Sequence, residues 1–138
     1  MAKVIDMFLW LEENKKKKPF RRKKILIVDD ELGPRESIRI LAKAYGATAV
    51  TANDVYEALK FLDTHSFDLI TTCLRMPGLS GIDFIKEIRT RGLSTPIIVI
   101  TGFGTLGEIA AKLGVFDYIT KPFKVDNLKS AFNKALER

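Results

Sequence analysis

The sequence predicts an α/β domain in which five parallel strands form one sheet covered by helices on both faces. Three observations support this prediction. Five apolar runs of strand length occur along the chain, a segment with helical periodicity follows each of them, and their spacing is typical of βαβ units. Right-handed crossovers then leave few ways to connect the strands.

The predicted strands are apolar runs that end at turn or polar residues. The central run begins at Leu69 and ends at Cys73, after which Pro77-Gly78 and Ser80-Gly81 force a tight turn. The other strands are predicted at 25–28, 48–51, 96–101 and 118–119. In an open parallel sheet, ligands bind beyond the carboxyl ends of the strands. The residues at those ends are therefore the first candidates for a site.

Most of the predicted helices have an apolar face and a recognisable start or stop. Pro34 opens the first helix of the domain, which runs to Tyr45 and stops at Gly46. Asn53 or Asp54 caps the next one. The remaining helices are predicted at 81–91, 105–113 and 125–136. The residues expected to face the core are Ile38, Leu41, Ala42, Tyr45, Ala58, Leu59, Leu62, Ile82, Ile85 and Ile88.

Length and composition bound the class of protein. The 138 residues are enough for one domain with a substantial core, and 46% hydrophobic with 29% charged residues is typical of a globular chain. A single cysteine excludes an intrachain disulfide. The longest apolar run is too short to span a bilayer, and the lysine run follows the first apolar segment, unlike the charges of a signal peptide. We expect a cytoplasmic protein.

Charge divides the chain into a leader at residues 1–23 and a domain at residues 24–138. Residues 1–24 hold nine Lys and Arg against three Asp and Glu, whereas the rest of the chain holds fourteen of each. Residues 1–24 therefore carry the whole net charge of +6, and residues 25–138 are neutral.

The leader predicts a helix from Lys3 to Glu13 that buries Phe8 and Trp10 against protein, either its own chain or a second subunit. A basic, solvated linker is expected to follow. A membrane-surface helix is an alternative that we do not favour. A nucleic-acid arm is favoured even less, because neither aromatic interleaving nor a groove-reading motif accompanies the lysines.

Polar side chains stand at the ends of four predicted strands. Asp29 and Asp30 follow the first strand, Cys73 ends the third, Thr101 ends the fourth and Lys121 follows the fifth. Two adjacent carboxylates need a cation, and oxygen ligands favour Mg²⁺. A hydroxyl and an ammonium can hold two oxygens of a phosphoryl group. Their occurrence in this order indicates a site for phosphoryl chemistry.

Four segments together resemble the receiver domain of two-component response regulators. They are Ile-Leu-Ile-Val-Asp-Asp-Glu (25–31), Leu-Arg-Met-Pro-Gly-Leu-Ser-Gly (74–81), Ile-Val-Ile-Thr-Gly (98–102) and Phe-Asp-Tyr-Ile-Thr-Lys-Pro-Phe (116–123). The resemblance covers about residues 24–138 and implies a flavodoxin-like (βα)5 fold with sheet order 2-1-3-4-5. It implies Mg²⁺ as cofactor and a histidine kinase or phosphotransfer protein as partner. A homodimer is expected through the leader helix or through the face formed by the fourth helix, fifth strand and fifth helix of the domain.

The resemblance also implies a role for each residue of the site. These roles are metal binding by Asp29, Asp30 and the backbone carbonyl of Arg75, switching by Thr101 and Tyr118, and phosphate pairing by Lys121.

Two features depart from the family pattern. Cys73 stands where the pattern requires the aspartate that becomes phosphorylated. We therefore expect phosphorylation to be blocked and Mg²⁺ to bind weakly or not at all, because sulfur is a poor ligand for this ion. The segment from Thr101 to Lys121 is about two residues shorter than usual, which affects the fourth helix and the family's usual output and dimerisation face.

Cys73 leaves three functions open. The chain is a receiver whose phosphorylation site is disabled, a pseudo-receiver that acts as an interaction module without phosphorylation, or a small α/β enzyme with a Cys73 nucleophile. The enzyme is favoured least, because the one histidine, His65, precedes the central strand and no Cys–His pair is evident. An inert thiol is favoured over a redox sensor, for which the chain offers no resolving cysteine, and over a phosphocysteine. Retention of the other pocket residues favours a single deliberate Asp-to-Cys replacement over natural divergence.

Overall fold

Five parallel strands form one sheet in the order β2-β1-β3-β4-β5, which confirms the predicted architecture. The structure is a computed structural model and describes residues 2–13, 19–102 and 111–137. The strands are β1 (Lys24–Val28), β2 (Thr48–Ala52), β3 (Leu69–Thr72), β4 (Ile97–Thr101) and β5 (Asp117–Thr120). The described helices are α1 (Ala2–Glu13), α2 (Leu32–Ala44), α3 (Val55–Thr64), α4 (Gly81–Thr90) and α5 (Val125–Leu136).

The central strands β1, β3 and β4 are buried along almost their whole length. Their apolar runs suit this position, because a parallel sheet with helices on both faces leaves no strand face for water. The register places Val28 beside both Ala52 and Thr72, and Thr72 beside Val99. The carboxyl ends of the strands therefore meet at one edge of the sheet.

Two apolar clusters cover the two faces of the sheet. On one face, α2 and α5 pack through residues such as Leu41 and Phe132 against Ile25 and Ile27. On the other face, α3 and α4 pack against β1, β3 and β4, with Phe84 fully buried. The alternation of side chains along each strand divides the apolar residues between the two clusters.

The helix boundaries follow local signals, with one shift. α2 begins at Leu32, two residues before Pro34, so the proline lies within its first turn. Gly46 stops this helix with a positive φ of 98°, as predicted. Asp54, not Asn53, caps α3 by accepting a hydrogen bond from the Glu57 backbone N–H at 2.8 Å. Most of the helix predicted at 105–113 lies outside the described residues.

Phe20, near the end of the predicted solvated linker, is not solvated, and residues 14–18 of that linker lie outside the described residues. Its side chain is 1% exposed, and its ring centroid lies 4.8 Å from that of Tyr45 and 6.0 Å from that of Phe132. Its backbone N–H donates to the Tyr45 carbonyl at 2.9 Å. Burial of this large aromatic side chain outweighs the polarity of the charged residues around it. The end of the leader is therefore part of the core between α2 and α5.

The leader forms the predicted helix, but this helix does not bury Phe8 against its own chain. Phe8 is 61% exposed, and Val4, Ile5 and Leu9 are also more than half exposed. Burial of Phe8 by a second subunit stays a prediction, and the Trp10 side chain lies outside the described residues. No helix in the described ranges is long and apolar enough to cross a membrane.

Candidate functional site

The structure brings the strand-end residues predicted from the sequence to one edge of the sheet. Cys73, Thr101 and Lys121 line a single cavity of about 820 Å³. Asp29 and Asp30 lie beside it, and their carboxylate oxygens and the Cys73 sulfur are all within 4.8 Å of one another. Residues from four loops that are far apart in sequence thus form one cluster.

Asp29 is held in place by a buried ion pair with Lys121. Lys121 Nζ lies 2.8 Å from Asp29 Oδ2 and 3.1 Å from Glu31 Oε1. Asp29 is 1% exposed, and its Oδ1 accepts a hydrogen bond from the Glu31 backbone N–H at 2.9 Å. Arg35 also donates to the Asp29 carbonyl oxygen at 2.8 Å. Lys121 and the Glu31 N–H thus satisfy a carboxylate that burial would otherwise penalise.

The ammonium of Lys121 stays protonated at neutral pH. Burial by itself lowers the pKa of Lys121, but the hydrogen-bonded ion pairs with Asp29 and Glu31 outweigh that effect and raise this pKa above its usual value. Lys121 therefore provides a fixed positive charge at the sheet edge.

The backbone of Cys73 is tightly fixed. Its N–H donates to the Val28 carbonyl at 3.2 Å, and its carbonyl accepts from the Thr72 hydroxyl at 2.8 Å. The first residue of α4, Gly81, packs so closely here that a Cβ would collide with the Cys73 carbonyl oxygen. The predicted turn thus holds residue 73 in position through a close approach that only glycine allows.

The Cys73 thiol is poorly suited to ionisation. The residue is 4% exposed, and burial raises the pKa of the thiol to about 12, with the Asp29 charge adding to the effect and Lys121 opposing it. Cys73 Sγ lies 3.6 Å from the Arg75 carbonyl oxygen and 3.8 Å from Asp30 Oδ1. A protonated thiol in contact with two oxygen acceptors is a weak nucleophile at neutral pH.

The donor atoms at this edge do not fit Mg²⁺. Asp29, Asp30 and the Arg75 carbonyl offer the oxygen ligands that this ion prefers. The fourth donor is the sulfur of Cys73, whereas Mg²⁺ requires near-octahedral oxygen coordination and releases its water reluctantly. The oxygen ligands suit the ion, but the central donor does not.

The two residues that the resemblance implies for switching lie in different environments. Thr101 is buried at the end of β4, and its carbonyl accepts a hydrogen bond from the Lys121 N–H at 2.8 Å. Tyr118, on β5, is 43% exposed. This hydrogen bond continues the pairing of β4 and β5 up to the residue that carries the ammonium.

Two residues that were not among the predicted site residues support the cluster. Glu31 shares the Lys121 ammonium, and Arg35 anchors the Asp29 carbonyl from the first turn of α2. The acidic triplet 29–31 was a visible signal for Glu31. The sequence offered no signal for Arg35, because Asp29 lies outside α2 and six residues before Arg35.

No histidine accompanies Cys73. The one histidine of the chain, His65, follows α3, where its ring lies 5.8 Å from the Phe61 and Phe67 ring centroids. A Cys–His nucleophilic pair is therefore not formed by these two residues.

The leader helix also contributes to the cavity. Val4, Met7 and Phe8 of α1 line it together with Pro34 and Ile40 of α2. The cavity therefore has apolar walls and places Cys73, Thr101 and Lys121 among its polar lining residues.

Known proteins share this fold and sequence pattern. Residues 25–133 match the response regulator receiver domain family. The chain is 37% identical over 120 residues to the chemotaxis protein CheY of Pseudomonas aeruginosa, with 83% of this chain and 97% of that protein covered. It is 38% identical over 117 residues to the response regulator protein PilR of the same organism, with 83% of this chain and 26% of that protein covered.

A solved structure gives the same result. The response regulator protein TrrA of Thermotoga maritima, in complex with Mg²⁺-BeF, is 32% identical with a TM-score of 0.76, and the match covers 83% of this chain and 99% of that one. Among curated relatives, the chain spans 57% of the length of the transcriptional regulatory protein FixJ of Bradyrhizobium diazoefficiens, compared with 26% of PilR.

Proposed function

The chain belongs to the response regulator receiver domain family, and we propose that it is a phosphorelay receiver whose phosphorylation is blocked at residue 73. Receiver domains are signalling modules that interact with histidine kinases or phosphotransfer proteins. The observation that carries the proposal is a thiol at a sheet edge where the acidic pair, the hydroxyl and the lysine of a receiver are all present. Cys73 lies beside Asp29 and Asp30 and lines the same cavity as Thr101 and Lys121.

The block follows from the chemistry of the acceptor atom. An acyl phosphate forms on a carboxylate oxygen, and Cys73 has none. Its sulfur is no substitute nucleophile at neutral pH, because a pKa of about 12 keeps it protonated. The position is therefore inert towards phosphoryl donors.

The remaining rim residues keep roles that become useful once a carboxylate occupies position 73. Receiver domains bind Mg²⁺ at this acidic pocket. With a carboxylate at position 73, we assign Asp29, Asp30 and the Arg75 carbonyl to this ion, whereas in the unmodified chain the sulfur of Cys73 weakens or abolishes its binding. We assign Thr101 and Lys121 to phosphoryl oxygens. We also assign Tyr118 to the rearrangement that follows when Thr101 moves inward.

A second function, a phosphorylation-independent interaction module, is supported by the exposed face of α1. Val4, Ile5, Phe8 and Leu9 are each more than half exposed, and an apolar patch of this kind is typical of an interaction surface. The occupant we propose is a second copy of the chain, bound through α1. The alternative is the dimer face that the resemblance implies. Its described part is β5 and α5, and most of the helix predicted at 105–113 lies outside the described residues.

The deciding experiment restores the carboxylate. Cys73→Asp, Cys73→Asn and the unmodified chain are incubated with acetyl phosphate and Mg²⁺, and intact mass is measured. We expect only Cys73→Asp to gain one phosphoryl group that is labile to alkali and hydroxylamine, because only it offers a carboxylate next to the acidic pair and Lys121. The asparagine variant is the matched control, since it has the same shape without the nucleophilic oxygen.

Two results would contradict the proposal. A phosphoryl gain in the unmodified chain would mean that the thiol or another residue accepts the group. No gain in a folded Cys73→Asp variant would mean that the pocket cannot support the chemistry, and the interaction module would then be the better function.

A further inference from the structure

The sulfur of Cys73 changes which metal ion the sheet edge can bind. The pocket offers carboxylate oxygens from Asp29 and Asp30, the carbonyl oxygen of Arg75 and one thiol sulfur. A set that mixes sulfur with oxygen does not satisfy Mg²⁺, which prefers oxygen ligands throughout. Thiolate sulfur instead favours thiophilic ions such as Zn²⁺, which also accept carboxylate oxygens.

Two of the donor distances match one tetrahedral ion. With Zn–S bonds of about 2.3 Å and Zn–O bonds of about 2.1 Å, two ligands at a tetrahedral angle lie about 3.6 Å apart. Cys73 Sγ is 3.6 Å from the Arg75 carbonyl oxygen and 3.8 Å from Asp30 Oδ1. The Asp29 carboxylate lies within 4.8 Å of both side-chain ligands, which places it next to the same ion.

We propose that Asp29, Asp30, Cys73 and the Arg75 carbonyl form a binding site for a thiophilic divalent cation of the Zn²⁺ class, in preference to Mg²⁺. The inference rests on the proposed function in one respect, since it takes the acidic pocket of the receiver as the metal pocket. It goes further by giving the cysteine a ligand role in place of an inert one.

Charge and access both suit such an ion. When the metal–sulfur bond forms, the thiol proton leaves to solvent, and the pocket then holds one thiolate and two carboxylates. With the Glu31 carboxylate, 3.1 Å from the Lys121 ammonium, there are four negative charges here. The two charges of the ion and the ammonium, 2.8 Å from Asp29, offset three of them. Asp30 is exposed, whereas Asp29 and Cys73 are buried, so the ion can enter from the solvent side past Asp30 and release its water to solvent as the buried ligands bind.

The test uses the full chain and metal ions alone. Co²⁺ is titrated into the metal-free protein at neutral pH, and the near-ultraviolet thiolate-to-cobalt charge-transfer band and the visible tetrahedral bands are recorded. We expect one equivalent of Co²⁺ to produce both bands. One equivalent of Zn²⁺ should abolish them, whereas a hundredfold excess of Mg²⁺ should leave them intact.

Two Cys73 variants test the sulfur ligand, and a His65 variant is the control. Cys73→Ser should lose the charge-transfer band and bind Zn²⁺ at least tenfold more weakly. Cys73→Asp should lose the band and gain affinity for Mg²⁺, because its donors are all oxygen. His65→Gln is the control for adventitious binding at the one imidazole of the chain, and it should bind as the unmodified protein does.

Absence of the charge-transfer band, equal Zn²⁺ affinity in Cys73→Ser, or loss of binding in His65→Gln would overturn the inference. So would displacement of Co²⁺ by equimolar Mg²⁺. These results are separable from the proposed function. Phosphorylation of Cys73→Asp without a cobalt band in the unmodified chain would refute the metal site alone, and a cobalt band without phosphorylation would refute the receiver chemistry alone.

Discussion

Replacing Lys121 with methionine should destabilise the domain strongly, because it removes the cation from a buried pair. Lys121 Nζ is 2.8 Å from Asp29 Oδ2, and the two side chains are 14% and 2% exposed. Methionine keeps the apolar stem and much of the volume of lysine but leaves the Asp29 carboxylate without this partner. The Glu31 backbone N–H, at 2.9 Å, then stabilises the negative charge without a cation.

The magnitude follows from the cost of an unpaired buried charge. Removing one partner of a buried ion pair costs about 3–5 kcal/mol. The lower end applies here, because Lys121 is partly exposed and Asp29 keeps a backbone hydrogen bond, so we expect a loss of about 3 kcal/mol. For a domain of this size, this corresponds to a fall in Tm of roughly 10 °C.

The assay is urea denaturation at pH 7 of the unmodified chain, Lys121→Met, Asp29→Asn and the double variant. The double variant should lose about 2 kcal/mol less than the sum of the single losses, because the two residues interact directly. Lys124→Met is the matched control, and this exposed position should change the free energy of unfolding by less than about 0.5 kcal/mol. A loss in Lys121→Met no greater than in the control, or additive losses, would refute the reasoning.

The same pair predicts a pH dependence with a definite sign. The pKa of Lys121 is raised in the folded state from an ordinary value of 10.5, so its contribution is present below pH 10.5 and is lost as pH rises through the higher folded value. The stability difference between the unmodified chain and Lys121→Met should therefore be constant near neutral pH. It should shrink only at strongly alkaline pH.

Other parts of the structure make further predictions. Native Cys73 should react with iodoacetamide at pH 7.5 at least about tenfold more slowly than denatured Cys73, because burial shields the sulfur and raises the pKa of the thiol to about 12, which leaves much less thiolate. Mass spectrometry of quenched samples measures this, and equal rates would mean that the thiol is open and ionised. Phe20→Ala should lower the free energy of unfolding, measured in urea, by roughly 3–5 kcal/mol. A loss below about 1 kcal/mol would contradict the conclusion that Phe20 is part of the core. The double variant Phe8→Ser, Leu9→Ser should lower the sedimentation coefficient, because it removes the proposed contact between two copies, without lowering the Tm of the domain. An unchanged sedimentation coefficient would count against association through α1.

The fold and the position of the site could be predicted because each depends on a local pattern. A run such as Ile25–Val28 is apolar throughout, since both faces of its strand are covered, and this signal needs no knowledge of distant residues. Once the strands are parallel, their carboxyl ends share an edge. Residues as distant as Asp29 and Lys121 can then be assigned to one pocket from sequence alone.

The pairing within that pocket could not be predicted, because it depends on distances of a few ångströms between separate loops. Lys121 contacts Asp29 and Glu31, and neither choice follows from spacing along the chain. The burial of Phe20 could not be predicted for a related reason. Its neighbours in sequence are charged, whereas its neighbours in space, Tyr45 and Phe132, are aromatic side chains of α2 and α5 that no local pattern connects to it.

The leader helix α1 precedes the repeated strand–helix units, but its side chains form one wall of the cavity that Cys73 lines. Val4, Met7 and Phe8 belong to α1, whereas the opposite wall is built from loops fixed by the sheet. The width of the approach to Cys73 is thus set by the position of a terminal helix. A chain shortened to begin at Pro19 would keep every donor atom of the pocket and the buried Phe20. It would lose the α1 side chains that line the cavity, so metal ions and alkylating reagents would reach Cys73 through a wider opening. Rates of metal binding or alkylation at Cys73 would therefore differ between the shortened and the full chain, although the donor atoms are the same.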